Sequence, residues 1–219
     1  MPTQLDKDIS RITQAVTAPG QMFELTETTR RGVTMPAFKN APPSLAHFFA
    51  HFCNEKKDEL FIVDGDMRLT FGEVWHAASH VAHSLASQHG IEKGDRVGIA
   101  ARNSANWIIA YMGVIMAGGC ATLLNGWWTG EEMAYGIGLC DCKLVLADAQ
   151  RAERLEGVEH GAKVVVFEHG VPSEGLAPVW AAGDTAMTML GQIGPDDLAT
   201  ILYTSGSTGH PKGAYSDHL

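Results

Sequence analysis

The segment Leu198-Ala199-Thr200-Ile201-Leu202-Tyr203-Thr204-Ser205-Gly206-Ser207-Thr208-Gly209-His210-Pro211-Lys212-Gly213 decides the fold. Residues 198–203 are apolar and β-favouring, which predicts a buried strand. A run of glycine and hydroxyl residues ending in Pro-Lys-Gly follows directly. The carboxyl end of a strand in an open α/β sheet is where ligands bind, and the residue types suit a polyphosphate. Gly206, Gly209 and Gly213 let main-chain N–H groups approach closely. Thr204, Ser205, Ser207 and Thr208 add hydroxyl donors. Lys212 adds a positive charge on a long stem, and Pro211 restrains the backbone before it. The spacing is not that of a Walker A loop, which needs four residues between its glycines and a hydroxyl after the lysine. A Ser/Gly/Thr linker shares the composition, but linkers rarely follow a buried strand directly and rarely close on Pro-Lys-Gly.

Upstream of this segment, strands and helices alternate. Arg96–Ala100, Cys120–Leu124, Lys143–Ala147 and Lys163–Phe167 read as strands. Ser104–Ala117, a helix opened by Thr129 and Glu132, and residues 149–156 read as the intervening helices. Such alternation predicts βαβ units, hence an α/β fold with a doubly wound, mostly parallel sheet flanked by helices. Before them, Leu60–Val63 and Met67–Thr70 predict two strands around the turn Asp64-Gly65-Asp66. Thr70 and Glu73 form a capping box for a helix striped by Val74, Ala78, Val81 and Leu85. Residues 170–195 read as a loop and a short helix at the edge of the layer. Residues 4–17 suggest a short amphipathic helix, and residues 18–42, rich in Thr, Arg, Gly and Pro, an irregular lead-in. The domain reading is therefore 1–42 as lead-in and 43–219 as the folded domain.

Composition narrows the function. With 25 Asp plus Glu against 16 Lys plus Arg, the net charge of −9 argues against a nucleic-acid surface, which needs clustered positive charge. Cys53, Cys120, Cys140 and Cys142 show no CxxC pairing and read as reduced thiols in a cytoplasmic protein. Residues 107–124 carry no charge over 18 positions, borderline for a membrane span. Gly118-Gly119 divides them into a buried helix and a buried strand, so no transmembrane segment is expected. His76, His80 and His83 fall at i, i+4 and i+7 of one helix. Two such histidines can share a zinc ion, but their face lies opposite the apolar stripe and reads as solvated or turned to a neighbouring helix, so no metal site is assigned.

The segment Tyr203–Gly213 resembles the phosphate loop of the adenylate-forming superfamily of acyl-CoA synthetases, luciferases and peptide-synthetase adenylation domains. It matches the pattern [YF]-[TS]-S-G-[TS]-T-G-x-P-K-G at every fixed position. Leu69–Glu73, Gly94–Ile99, Asn103-Ser104 with Gly113–Gly119, and Thr129–Tyr135 are similar to further family signatures, in order. The resemblance implies the large N-terminal domain of an adenylate-forming ligase. It implies a carboxylic acid, plausibly a fatty acid, activated on ATP with Mg²⁺ to an acyl-adenylate, then transferred to coenzyme A. Thr204, Ser205, Gly206, Ser207, Thr208, Gly209 and Lys212 would hold the β- and γ-phosphates, with Lys212 the catalytic cation. His218 matches a histidine often found shortly after the loop. Trp127-Trp128 departs from the commoner "NP" after Asn125 and reads as core or acyl-channel wall, the core being favoured. Family members are more than twice as long, so the chain is expected to hold the phosphate loop without the rest of the site and to form no acyl-adenylate alone. The alternatives are an adenylation domain that loads a carrier protein and a non-catalytic truncated paralogue. Oligomeric state is not legible.

Overall fold

The structure is a computed structural model that describes residues 2–30, 32–183, 192–204 and 211–219. Contacts divide the chain into two compact units, Met1–Pro42 with Leu219, and Pro43–His218.

The first unit holds α1 (Gln4–Val16), opened by a capping box between Thr3 and Asp6. Leu5, Ile9, Ile12 and Val16 recur at helical spacing and are all exposed. The expectation of an irregular lead-in over 18–42 is corrected: β1 (Leu25–Arg30) pairs antiparallel with β2 (Val33–Phe38). The threonine-rich run Leu-Thr-Glu-Thr-Thr favours extended backbone, and Gly32 at φ +79° supplies the left-handed turn residue. Neither strand has a fully buried residue, so no apolar alternation marks the hairpin in the sequence. Pro36 within β2 further weakens the strand signal.

The second unit begins with α2 (Leu45–Glu55), the hairpin β3 (Leu60–Asp64) and β4 (Met67–Thr70), and α3 (Phe71–Ser87). The alternating part follows as β5 (Arg96–Ala100), α4 (Ala105–Met116), β6 (Cys120–Leu123), α5 (Gly130–Leu139), β7 (Cys142–Asp148), α6 (Ala149–Leu155) and β8 (Lys163–Phe167). The short α7 (Pro172–Gly175) and a 3-10 turn at Ala177–Val179 lead toward β9 (Leu198–Thr204) and β10 (Lys212–Asp217). Six strands form one sheet in the order β10-β9-β6-β5-β7-β8. All neighbours are parallel except β10, which runs antiparallel to β9. The doubly wound, mostly parallel α/β expectation therefore holds, and the antiparallel edge strand β10 is an addition to it.

Strand β7 shows how the sheet is covered. Leu144 and Leu146 enter one buried cluster with Val97, Ile99, Ala121 and Phe167, packed by α3 and α4. Val145 and Ala147 enter a second cluster with Leu124, Met133, Ile137 and Leu155, packed by α5 and α6. Alternate side chains point to opposite faces, so covering both faces makes the strand read as an uninterrupted apolar run. Helix α4 crosses α3 closely at Gly113, where a Cβ atom would stand 2.5 Å from Val81 Cγ1. Helix α4 ends at Gly118, whose φ of +81° is a left-handed cap. The uncharged stretch from residue 107 is thus divided between α4 and β6, and no described helix is long and apolar enough to cross a membrane.

Candidate functional site

The parallel strands carry their carboxyl ends at one edge of the sheet. There the loop after β5 leads to α4 on the larger core, whereas the loop after β6 leads to α5 on the opposite face. Adjacent strands whose connections part to opposite faces form a topological switch point, the place where open α/β sheets bind ligands. Strand β9 pairs with β6 beside this point. Its last residue, Thr204, is the cross-strand partner of Lys212, the first residue of β10. The Thr204 hydroxyl faces the Lys212 carbonyl at 3.4 Å. Both residues are exposed. The sheet thus brings together the two ends of the glycine- and hydroxyl-rich segment at the switch-point edge. Ser205, Gly206, Ser207, Thr208 and Gly209 lie outside the described residues.

A buried ion pair fixes the neighbouring loops. Asp148, at the end of β7, caps α6 by accepting from Arg151 N at 3.0 Å. Its other oxygen accepts from Arg102 N at 2.9 Å and from Arg151 Nη1 at 3.0 Å. The guanidinium also donates from Nε to Gly126 O at 2.9 Å, and Arg154 Nη1 donates to the carbonyls of Gly126 and Trp128 at 3.0 Å each. These bonds tie the loops after β5, β6 and β7 into one rim. The sequence reading gave no role to Asp148 or Arg151. An aspartate between an apolar strand and a helix is an N-cap signal, but its reach to Arg102 and, through Arg151, to Gly126 depends on which strands are neighbours.

Behind Thr204, on the α5 face, Tyr203 is anchored. Its hydroxyl donates to the Gly136 carbonyl and lies 3.0 Å from Cys140 Sγ. Burial, followed by the contact with Cys140, raises its phenol well above the usual range. Trp128 packs edge-on against it with centroids 5.0 Å apart. The two tryptophans therefore separate: Trp128 joins the smaller core, while Trp127 is 87% exposed. An open cavity of about 490 Å³ borders this region, lined in part by Tyr135, Leu139, Cys140, Lys212, Gly213 and Tyr215. Burial pushes the Cys120 thiol up to about 11 and the Cys142 thiol up to about 12, which keeps both protonated and unreactive at neutral pH. All four cysteines are free thiols.

His218 stands apart from Lys212, beyond the far end of β10. Its Nδ1 accepts from Leu45 N in the first turn of α2, at 3.1 Å. Burial depresses its basicity, more than offsetting the nearby Asp197 and Asp217. It closes a helix terminus and does not approach the Thr204–Lys212 pair. Among the described residues no three His, Cys, Asp or Glu side chains cluster as a metal site.

The AMP-binding enzyme family matches residues 49–219, and the chain belongs to that family. It is 31% identical over 192 residues to the AMB antimetabolite synthetase AmbB of Pseudomonas aeruginosa, covering 86% of this chain and 14% of that one. It is 28% identical over 184 residues to the medium/long-chain-fatty-acid–CoA ligase FadD6 of Mycobacterium tuberculosis, covering 82% and 30%. Among solved structures, the inhibitor-bound N-terminal domain of FACL13 from Mycobacterium tuberculosis superposes with a TM-score of 0.69 at 22% identity, covering 81% of this chain and 45% of that one. That likeness is one of fold. The chain spans less than a third of the length of either sequence relative. The family is one of ligases whose members include acyl-CoA ligases and peptide-synthetase adenylation domains.

Proposed function

We propose that residues 43–219 supply the triphosphate-holding part of an ATP-dependent acyl-CoA synthetase. Thr204, Ser205, Gly206, Ser207, Thr208, Gly209 and Lys212 would bind the β- and γ-phosphates of ATP. The observation that carries this reading is the cross-strand pairing of Thr204 with Lys212 at the switch-point edge, which closes the intervening seven residues between β9 and β10. Lys212 would neutralise charge that grows on pyrophosphate as a carboxylate attacks the α-phosphate, an electrostatic role worth most when the donor is pre-positioned. The antiparallel pairing to β9 supplies that positioning at its backbone. The Asp148–Arg151 rim would hold the adjoining loops still while substrate binds. Mg²⁺ accompanies ATP in this chemistry. Among the described residues no three His, Cys, Asp or Glu side chains cluster, and no Mg²⁺ ligand is assigned to them.

The match to FadD6 supports coenzyme A as the thiol that displaces AMP. A second reading, transfer to a carrier-protein thiol, is supported by matches to a nonribosomal peptide synthetase of Lecanicillium and to tyrocidine synthase 2 of Brevibacillus parabrevis. Equilibrium ATP binding to this chain tests the shared claim. Lys212→Ala should weaken binding by about tenfold or more, as expected for loss of a hydrogen bond to a charged group. Unchanged affinity would reject the assignment of the loop. Pyrophosphate release across a carboxylic-acid panel, on protein carrying this chain, would then identify the acid. Coenzyme A and a pantetheinylated carrier, offered in parallel, would separate the two thiols.

A further inference from the structure

Helix α3 carries His76, His80 and His83, and the structure separates what the sequence grouped. His80 is not on a solvated face: it is only 7% exposed. Its ring stacks on Trp180 with centroids 4.5 Å apart and planes 11° from parallel. Its Nδ1 lies 2.7 Å from the Ala181 carbonyl oxygen. A carbonyl oxygen can only accept, so Nδ1 holds the proton and, in the neutral ring, Nε2 presents a bare lone pair. His76, one turn earlier and exposed, brings its own Nε2 to 3.1 Å from that lone pair. His83 is exposed, and its ring makes no described contact with the other two.

We propose that Nε2 of His76 and Nε2 of His80 form a two-imidazole site for a divalent late first-row transition metal, with Zn²⁺ as the reference occupant. Three observations converge. The i, i+4 spacing is the one by which helices present paired histidine ligands. With metal–nitrogen bonds of about 2.0–2.1 Å, the 3.1 Å separation subtends an angle of about 95–102° at the metal, between octahedral and tetrahedral values. The Ala181 carbonyl already supplies the second-shell acceptor that fixes the tautomer and ring orientation of a ligating histidine.

His80 is thus held ready as a ligand, while the exposed His76 is the adjustable one. On binding, His76 passes from its Nε2–H to its Nδ1–H tautomer, so the metal takes the place of the shared proton and no proton is lost overall. Among the described residues no third His, Cys, Asp or Glu completes a cluster; the remaining positions would take water. Such a site has affinity limited by two protein ligands and open positions for an exogenous one.

The test uses the tag-free chain titrated with Zn²⁺ alone, read by calorimetry and by the metal-induced rise in Tm, with Co²⁺ absorption as a report on imidazole ligation. The expected result is saturable binding in the wild type and in His83→Ala, and about a tenfold or greater loss in His76→Ala. Because His76 is exposed, that variant should keep its fold, which far-UV circular dichroism checks. His80→Gln, which removes the buried ligand, should lose the Co²⁺ spectrum as well. The proposal is overturned if the wild type shows no saturable Zn²⁺ binding, if His76→Ala binds as the wild type does, or if His83→Ala is the variant that loses the metal.

Discussion

The two faces of the sheet are built differently. The face under α3 and α4 is a large apolar cluster in which Ile109, Met112, Ile115, Met116, Phe167 and Leu176 are completely buried. The face under α5 and α6 is smaller and mixes apolar groups with a half-buried tyrosine, a half-buried tryptophan and two cysteines. The first layer gains mainly from area removed from water, which is non-directional, with a few directed bonds such as Asn106 Nδ2 to the Glu168 carbonyl at 2.7 Å and Tyr111 to Thr200 at 2.8 Å. The second gains from directed contacts: Tyr203 on Gly136, Arg151 on Asp148 and Gly126, Arg154 on the loop after β6. The directed layer lies against the carboxyl edge where Thr204 and Lys212 meet. Bulk stability and site geometry are thereby assigned to opposite sides of one sheet.

This contrast makes ordered predictions. Removing a buried group from either side should cost most. Phe167→Ala empties a fully buried volume in the larger layer and is expected to destabilise by about 3–5 kcal/mol. Arg151→Ala removes the guanidinium from the buried Asp148 carboxylate, leaving it the main-chain N–H groups of residues 102 and 151 and His169 Nε2 at 3.8 Å, and should also cost about 3–5 kcal/mol. Chemical denaturation measures both. Equal losses with unlike consequences would sharpen the contrast, since only Arg151→Ala should also loosen the loop after β6, seen as faster amide exchange at Trp127 and Trp128. If Phe167→Ala loosened that loop equally, the division between faces would fail.

Gly113→Ala forces a methyl group to within 2.5 Å of Val81 Cγ1, so α3 and α4 must move apart. The expected cost is about 1–3 kcal/mol by thermal or urea unfolding. An effect below the noise would show that the helix crossing yields easily. Tyr203→Phe deletes one directed bond in the smaller layer and should cost about 0.5–1.5 kcal/mol. It should also perturb ATP binding more than Gly113→Ala does, because Tyr203 immediately precedes Thr204.

The smallest effect concerns pH. Burial keeps His218 neutral, with its folded pKa below the ordinary value of about 6.5. The unfolded chain therefore takes up this proton first as the solution is acidified. The contribution of His218 is complete above about pH 6.5 and declines as pH falls, until the lower folded value is passed. Unfolding curves should show a shallower acid decline between pH 7 and pH 5 for His218→Gln than for the wild type. Parallel declines would mean that His218 is not the group responsible.

Much of the fold was legible in the residues. Strand β7 could be read because burial on both faces makes its centre, residues 144–147, wholly apolar. The capping boxes at Thr70–Glu73 and Thr129–Glu132 form as their spacing predicts. The hairpin Leu25–Phe38 escaped because neither of its faces is buried, leaving no period-2 pattern to read. Strand β10 escaped for a related reason: Lys212–Asp217 is exposed along nearly its whole length, and only pairing with β9 makes it a strand.

For the candidate site, sequence alone determined the residue types that can hold a polyphosphate and the family to which they belong, because glycine, hydroxyl and lysine chemistry is local to the nine consecutive positions 204–212. Tertiary structure decided what those positions are attached to. Strand order placed Thr204 beside Lys212 next to the switch point, and it carried Asp148 across to Arg102 and Arg151 to Gly126. It also turned His80 inward against Trp180, where the helical pattern had left its face open to solvent or to a neighbouring helix. A one-dimensional pattern records which side chains share a face; it does not record which distant element will cover that face.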